Sequence, residues 1–389
     1  MLLTTIGEAF EINPQVRIPK GTEVPFVTMD QVVPGQRNVS AAENRVFKGG
    51  SKFEHGDTLM ARITPCLENK KIAQYLPPNH ASPSAGSTEF IVIRGKNGVS
   101  ITPFAYYFVQ SPDIHELAIS LMTGTSGRQR VDTEAFRMSE IWLPNLTIQE
   151  KIVKVLGSLD DKIAANQRTI QSADSLRNAL WDKLLKTNTE SLPLSSLAEF
   201  INGRAFTKNA TGTGRVVARI AELNSGIGSN TVFNDIEVHQ NHVVLPGELL
   251  FAWSGTLMTK RWPYDEAIVN QHIFKVLPIS KFDLWALELI IQSQIHYFQM
   301  IAAGKATTMG HIKRADLDKT VEVPTSIPDK LNMLGNTLWM LATQAEQENQ
   351  TLARTRDELL PLLMSGKITV RDAEEASAEV GVDKHEVEE

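Results

Sequence analysis

The chain has 389 residues, 42% hydrophobic and 22% charged, the balance of a globular protein of two or three domains rather than a fibrous or disordered one. Its net charge of −6 excludes a broadly basic nucleic-acid binder, and its single cysteine, Cys66, excludes an internal disulfide framework and suits a reducing cytoplasm. No apolar run approaches the ~18 residues of a membrane span, and Met1–Glu8 lacks the charged start and apolar core of a signal peptide, so a cytoplasmic protein with no membrane partner is expected.

From the N-terminus, Val24–Val27, Thr58–Ile63 and Glu89–Ile93 read as strands, separated by turn-rich segments such as Pro77–Ser87. Phe104–Met122 reads as one helix with Pro103 in its first turn. Beyond Pro144, Ile152, Leu156, Leu159, Ile163, Asn166, Ile170, Ala173, Arg177, Leu180 and Leu184 fall at alternating four- and three-residue spacings. A second set of strands (Glu248–Ala252, His272–Leu277) and a helix (Leu284–Ala303) follows. After Pro324 the heptad spacing returns with Leu331, Leu334, Leu338, Leu341, Ala345, Glu348, Leu352, Thr355, Leu359 and Leu362. Pro361 should end or bend this helix, because it removes a backbone donor. Residues 371–389 carry eight acidic and two basic side chains, and a disordered tail is expected there. Without them the body has 37 basic and 37 acidic residues, so DNA binding needs local basic patches or a basic partner.

The order of elements repeats at a spacing of about 180 residues, too long for a solenoid, whose units run to ~20–50 residues. Gly56-Asp-Thr-Leu-Met-Ala-Arg62 is echoed by Gly247-Glu-Leu-Leu-Phe-Ala-Trp253, Gln110-Ser111 by Gln292-Ser293, and Leu143-Pro144 by Val323-Pro324. The fold class expected is α+β, with two similar α/β domains separated by two long antiparallel coiled-coil helices in a pseudo-twofold internal repeat. The boundaries are 1–144 for the first domain, 145–188 for the first helix, 189–325 for the second domain, 326–366 for the second helix and 367–389 for the acidic tail. The seam residues are Ile152, Leu156, Leu159, Ile163, Asn166, Ile170 and Leu180 facing Leu331, Leu334, Leu338, Leu341, Leu352 and Leu359. Asn166 and Glu348 put polar groups in that seam, where they cost stability and set register, or mark a solvated gap. Gly157 and Gly335, inside the helices, cost ~1 kcal/mol each against Ala, which a close approach or a kink would explain.

Chemistry of other kinds is not signalled. The glycine-rich runs Lys48–Lys52 and Thr211–Gly214 lack the Gly-Lys-Ser/Thr ending of a phosphate loop. His239 and His242 have no third metal ligand beside them, and Asp160-Asp161 lies on a helix face with no sign of an acid–base pair. The balance favours a binding protein, and no metal site is expected.

These motifs resemble one family, the specificity (S) subunits of Type I restriction–modification systems, over about residues 1–366. The resemblance is carried by Gly56–Lys70, Ser87-Thr-Glu-Phe90, Gly124–Arg130 and Ile148–Ile163, and by Gly247–Leu257, Asn270-Gln-His-Ile-Phe-Lys275 and Thr307–Lys313. Ser326-Ile-Pro-Asp-Lys330 departs from the acidic-Gln pair usual at the start of the second helix. The resemblance implies two target-recognition domains, each reading half of a bipartite site in double-stranded DNA. It implies helices that set the spacer and dock two methyltransferase subunits. It also implies a non-catalytic chain without its own cofactor. S-adenosylmethionine would be held by the methyltransferase subunits, and ATP and Mg by restriction subunits. A methylation-only or phage-exclusion complex is the alternative system, and a scaffold that does not bind DNA the alternative class.

Base reading needs Arg, Lys, Asn, Gln, Ser, Thr or His on loops near a groove. In the first domain the candidates are Arg62, Thr64, Lys70, Lys71, Ser126, Arg128, Gln129 and Arg130. Arg128-Gln-Arg130 leads them, because it follows a Gly-Thr-Ser-Gly turn. In the second they are Trp253, Ser254, Lys260, Arg261, Lys305, Thr307, Thr308, His311, Lys313 and Arg314. Asn270-Gln-His272 opens a strand, where internal packing and DNA contact are both open.

Overall fold

The computed structural model describes residues 2–77, 83–125, 127–304 and 312–382. It divides into two compact units, residues 1–164 with 351–389, and residues 165–350. Each long helix is therefore shared between units, whereas the sequence suggested domains ending where helices begin.

In the first unit a five-stranded sheet runs Phe10–Ile12, Phe90–Gly95, Thr58–Ala61, Ile72–Tyr75, Asn38–Val39. A four-stranded sheet runs Glu43–Val46, Glu23–Val27, Ser84–Gly86, Ser51–Phe53. Thr58–Ala61 and Ile72–Tyr75 are buried at every position, the polar Thr58 and Gln74 included, so their sequences do not alternate as a half-exposed strand would. The helix expected over 104–122 is two helices, Thr102–Gln110 and Pro112–Ser120. Ser111, held extended at φ −61° and ψ 140° by the proline after it, breaks them.

The first long helix spans Leu146–Leu185 and the second Asp329–Ser365. Within the first unit, Ile152, Leu156 and Leu159 of one and Leu352, Leu359, Leu360 and Leu363 of the other share a buried cluster with Phe104 and Phe108. Arg356 reaches Asp160 at 2.7 Å, and Tyr107 donates to the other oxygen of Asp160 at 2.7 Å. Pro361 does not end its helix, which continues to Ser365 with Leu363 buried. The tail is not wholly disordered either. Val370–Glu379 is a helix, capped reciprocally by Thr369 and Asp372, with Ala373 fully buried in the same cluster. Its net acidity misled the sequence reading, because the charges lie around a small apolar face formed by Val370, Ala373 and Ala376. Residues 383–389 lie outside the described residues.

The second unit has a similar strand order, without a counterpart of Asn38–Val39 among the described residues. One sheet runs Ala198–Asn202, Ile273–Pro278, Leu249–Ala252, Met258–Arg261, and the other Phe233–Asn234, Arg215–Ala218, Ala267–Val269, Val243–Val244. In the sheet Glu43–Val46, Glu23–Val27, Ser84–Gly86, Ser51–Phe53 of the first unit and the second of the sheets just named, the central pair is parallel, Glu23–Val27 with Ser84–Gly86 and Arg215–Ala218 with Ala267–Val269. The outer strands are antiparallel in each. The helix Leu284–Gly304 packs beside the antiparallel sheet that contains Ile273–Pro278 and Met258–Arg261.

In this unit Ile170 and Ala173 pack with Leu338, Ala342 and Ala345. Leu334 and Leu341 do not join the seam, being 40% and 42% exposed. The buried face instead includes Gly335 and Trp339. The reason is the neighbouring sheet domain. A Cβ on Gly335 would lie 2.2 Å from the Trp285 ring, and Trp339 Nε1 donates to the Gly247 carbonyl at 2.9 Å. The heptad reading followed the large leucines and assumed a single partner face. Ile163 and Leu331 are half-buried, and Leu180 is buried.

Candidate nucleic-acid interface

In the first unit the buried strand Thr58–Ala61 ends at Arg62, where the backbone is tied on both sides. Arg62 N–H donates to the Glu89 carbonyl at 2.9 Å, and Val131 N–H donates to the Arg62 carbonyl at 2.9 Å. Thr64 N–H bonds the Gln129 carbonyl at 3.1 Å, and Thr64 Oγ1 accepts from Gln129 N–H at 3.1 Å. The short strands Met122–Thr123 and Arg130–Val131 are thus stitched to the core. Gly124 at φ +125° and Gly127 at φ +78° supply the left-handed backbone that the loop requires.

Arg130 grips Glu89 through two nitrogens, at 2.8 and 2.9 Å, and this pairing holds the Glu89 carboxyl below its usual pKa. Arg128 is exposed and makes no ion pair among the described residues. Arg62, Arg128 and Arg130 line one cleft of about 560 Å³ together with Asp132 and Glu134. Arg62 also lines a second cleft of about 620 Å³ with Gln15, Arg17, Lys52 and Thr88 and no acidic side chain. Its Nε is buried without a hydrogen-bond partner. Sequence reasoning missed Gln15, Arg17 and Lys52, which only the folding of distant loops brings to Arg62.

The remaining candidates of this unit separate. Lys70 is exposed at φ +52°, whereas Lys71 Nζ donates to the Met29 carbonyl at 2.8 Å and serves the fold. Ser126 lies outside the described residues. A larger cleft, of about 970 Å³, lies away from these arginines and is lined by Arg94, Asp57 and Glu54 among others. There Arg94 pairs with Asp57 at 2.6 Å and with Glu54 at 2.8 Å.

The second unit has the same backbone ladder with different side chains. Trp253 N–H donates to the His272 carbonyl at 3.0 Å, and Ile312 N–H donates to the Trp253 carbonyl at 3.2 Å. Trp253 therefore stands where Arg62 stands, and His272 where Glu89 stands. The Trp253 ring lies 5.0 Å from His272 and 5.7 Å from Phe274, and its Nε1 donates to Asn202 at 2.8 Å.

Two candidates are corrected here. Arg261 is 4% exposed, pairs with Glu346 at 2.9 Å and covers the Trp339 ring at 4.8 Å, so its charge is spent inside the unit. Ser254 is 3% exposed and cannot meet a groove. Lys260 is half-buried on a strand, and Lys313 and Arg314 are exposed where a short turn begins. Lys305, Thr307, Thr308 and His311 lie outside the described residues.

Beside Trp253 the chain is held tightly. Gly203 fits against the Asn270 carbonyl, which a Cβ would approach to 2.1 Å. Arg204 N–H donates to the Val269 carbonyl at 3.2 Å, and Gln271 N–H donates to the Arg204 carbonyl at 2.9 Å. His242 is near: burial, and then the charges of Arg204 and His239, lower its pKa. Among the described residues no group of three or more His, Cys, Asp or Glu side chains is arranged to hold a metal ion. No helix among the described residues is long and apolar enough to cross a membrane.

Residues 65–174 match the family described as the Type I restriction modification DNA specificity domain. The chain is similar to the Type I restriction enzyme EcoAI specificity subunit of Escherichia coli, 30% identical over 204 residues, which are 50% of this chain and 34% of that protein. It is equally similar to the EcoEI specificity subunit of the same organism, 30% identical over 202 residues, with coverage of 50% and 34%. The matched stretch thus spans about a third of each relative's length. Among solved structures, the Type-I restriction-modification system S subunit from M. genitalium aligns over 93% of this chain and 95% of its own. Its TM-score is 0.53 and its identity 14%, a likeness of fold.

Proposed function

We propose, from the premise that this chain belongs to the family of Type I restriction–modification specificity subunits, that it selects the DNA sequence on which a Type I complex acts. Each unit would contribute one target-recognition domain for one half of a bipartite site. The two long helices would act as an antiparallel coiled coil in a pseudo-twofold molecule, setting the unread spacer and docking two methyltransferase subunits, with restriction subunits joining them. The chain itself would be non-catalytic and work in the cytoplasm. S-adenosylmethionine would be held by the methyltransferase subunits, and ATP and Mg by the restriction subunits.

The observation that carries this reading is the repeated corner. Twice in one chain, a buried strand ends in a residue whose backbone is bonded to a crossover between sheets and to a segment distant in sequence. Two matched polar corners on one topology suit a ligand read in two parts. In the first, the exposed guanidinium of Arg128 suits the paired acceptors O6 and N7 of guanine. Arg62, Arg17 and Lys52 suit phosphates, which position a duplex without specifying it. Arg130 is half-neutralised by Glu89, so it supports the loop more than it adds charge.

The test is to express the chain with its methyltransferase partners and sequence the methylated bases of the host genome. One bipartite motif with two specified halves around an unread spacer is expected. A contiguous motif, or no methylation, contradicts the reading.

A further inference from the structure

The two corners occupy the same topological place but carry different chemistry, and this difference bears on what each one reads. In the first unit the corner is built from arginines and a carboxylate. In the second, the equivalent crossover is Asn270-Gln271-His272, and the strand end beside it is an aromatic ring. Three polar atoms there have no hydrogen-bond partner although buried: Asn270 Oδ1, His272 Nδ1 and His242 Nδ1. Asn270 as a whole is only 7% exposed. Buried polar atoms are normally satisfied, so three unsatisfied ones around a single corner call for a partner.

The backbone supports the same conclusion. His272 sits at φ +74°, a conformation that non-glycine residues rarely adopt and that clusters where function holds it. Gln271, between the two, is exposed, and its side-chain amide makes no hydrogen bond among the described residues. Arg204 is exposed and unpaired among the described residues, and its backbone is bonded on both sides of Asn270. The bonded backbones place an exposed amide next to an exposed guanidinium, with a half-buried indole beside them.

We propose that Asn270-Gln271-His272, with Arg204, is the base-reading element of the second unit, and that Gln271 reads an adenine edge. A side-chain amide matches the N6 donor and N7 acceptor of adenine, a pair that no other base presents in the major groove. The first unit then reads by guanidinium and the second mainly by neutral amide and imidazole. The basic pair Lys313 and Arg314 serves phosphates. This assignment rests on the DNA-reading function proposed above.

The test uses the full chain in complex with its methyltransferase partners. Gln271→Ala and Lys313→Ala are compared with the unchanged chain in genome-wide sequencing of methylated bases, and in DNA binding across a range of salt. Gln271→Ala should relax an adenine position in one half only and weaken cognate binding by about 5- to 150-fold, with the salt dependence unchanged. Lys313→Ala should leave the motif intact and lower the logarithmic salt slope by about 1. Thermal melting of each variant verifies folding. A motif left unchanged by Gln271→Ala, or relaxed in the half that Arg128→Ala alters, overturns this assignment while the bipartite reading survives. Absence of any bipartite motif from the unchanged complex overturns both.

Discussion

Asn166 Nδ2 donates to Glu348 Oε2 at 2.6 Å between the two long helices of the second unit. Asn166 is 7% exposed, and its apolar neighbours along the seam leave few other partners for it. The pair sets register at a cost in stability. Asn166→Leu should therefore destabilise by ~1–3 kcal/mol, because it strips Glu348 of a donor. Adding Glu348→Leu should recover most of that loss, since a well-packed apolar pair often matches a buried polar one. Urea denaturation of both variants checks this. A double variant weaker than the single one would deny that the bond is a register device.

The two helical glycines should behave differently. At Gly335 a methyl would enter the Trp285 ring, whereas at Gly157 it would meet only the end of the Arg37 side chain, at 3.2 Å. Gly335→Ala should cost ~1–3 kcal/mol by overpacking, despite the ~1 kcal/mol gain in helix propensity. Gly157→Ala should fall within about 1 kcal/mol of the parent, since propensity and the small shift of Arg37 oppose each other. Melting temperatures of the two variants give the comparison.

Two buried arginines tie a long helix to a neighbouring helix. Arg177 pairs with Glu288 at 2.9 Å in the second unit, and Arg356 with Asp160 at 2.7 Å in the first. Replacing either with Met should cost ~3–5 kcal/mol, because the buried carboxylate loses its partner. A loss under 1 kcal/mol at either site would mean that the acid is solvated or protonated in the native state.

His115 should make stability depend on pH. Burial lowers its pKa below the ordinary 6.5, helped by the charge of Lys70 and opposed by its hydrogen bond to the Leu67 carbonyl. In that window the unfolded chain binds the proton more readily than the native one, so stability rises with pH. The contribution is present above 6.5 and is lost as pH falls through the lowered native value. Melting points measured between pH 7.5 and 5 should fall, and His115→Gln should shrink that fall.

What was legible in the sequence follows from range. The repeat, the buried strands and the long helices rest on local periodicity, so Gly56–Arg62 and Gly247–Trp253 could be paired by eye. Leu334 and Leu341 could not be placed, because Trp285 and the sheet domain choose the buried face of their helix. The acidic tail hid the short apolar face around Ala373. At the candidate sites, loop composition picked out Arg128, which is exposed, but it also picked Arg261, whose charge is consumed by Glu346. Gln15, Arg17 and Lys52 were invisible because only tertiary structure brings them to Arg62.

The most direct measurement is the methylation motif of a host carrying Arg128→Ala in this chain beside its methyltransferase partners. The account predicts a bipartite motif in which one half loses a guanine requirement while the other half and the spacer stay as they were. Unchanged specificity in both halves, or equal relaxation of both, would contradict it.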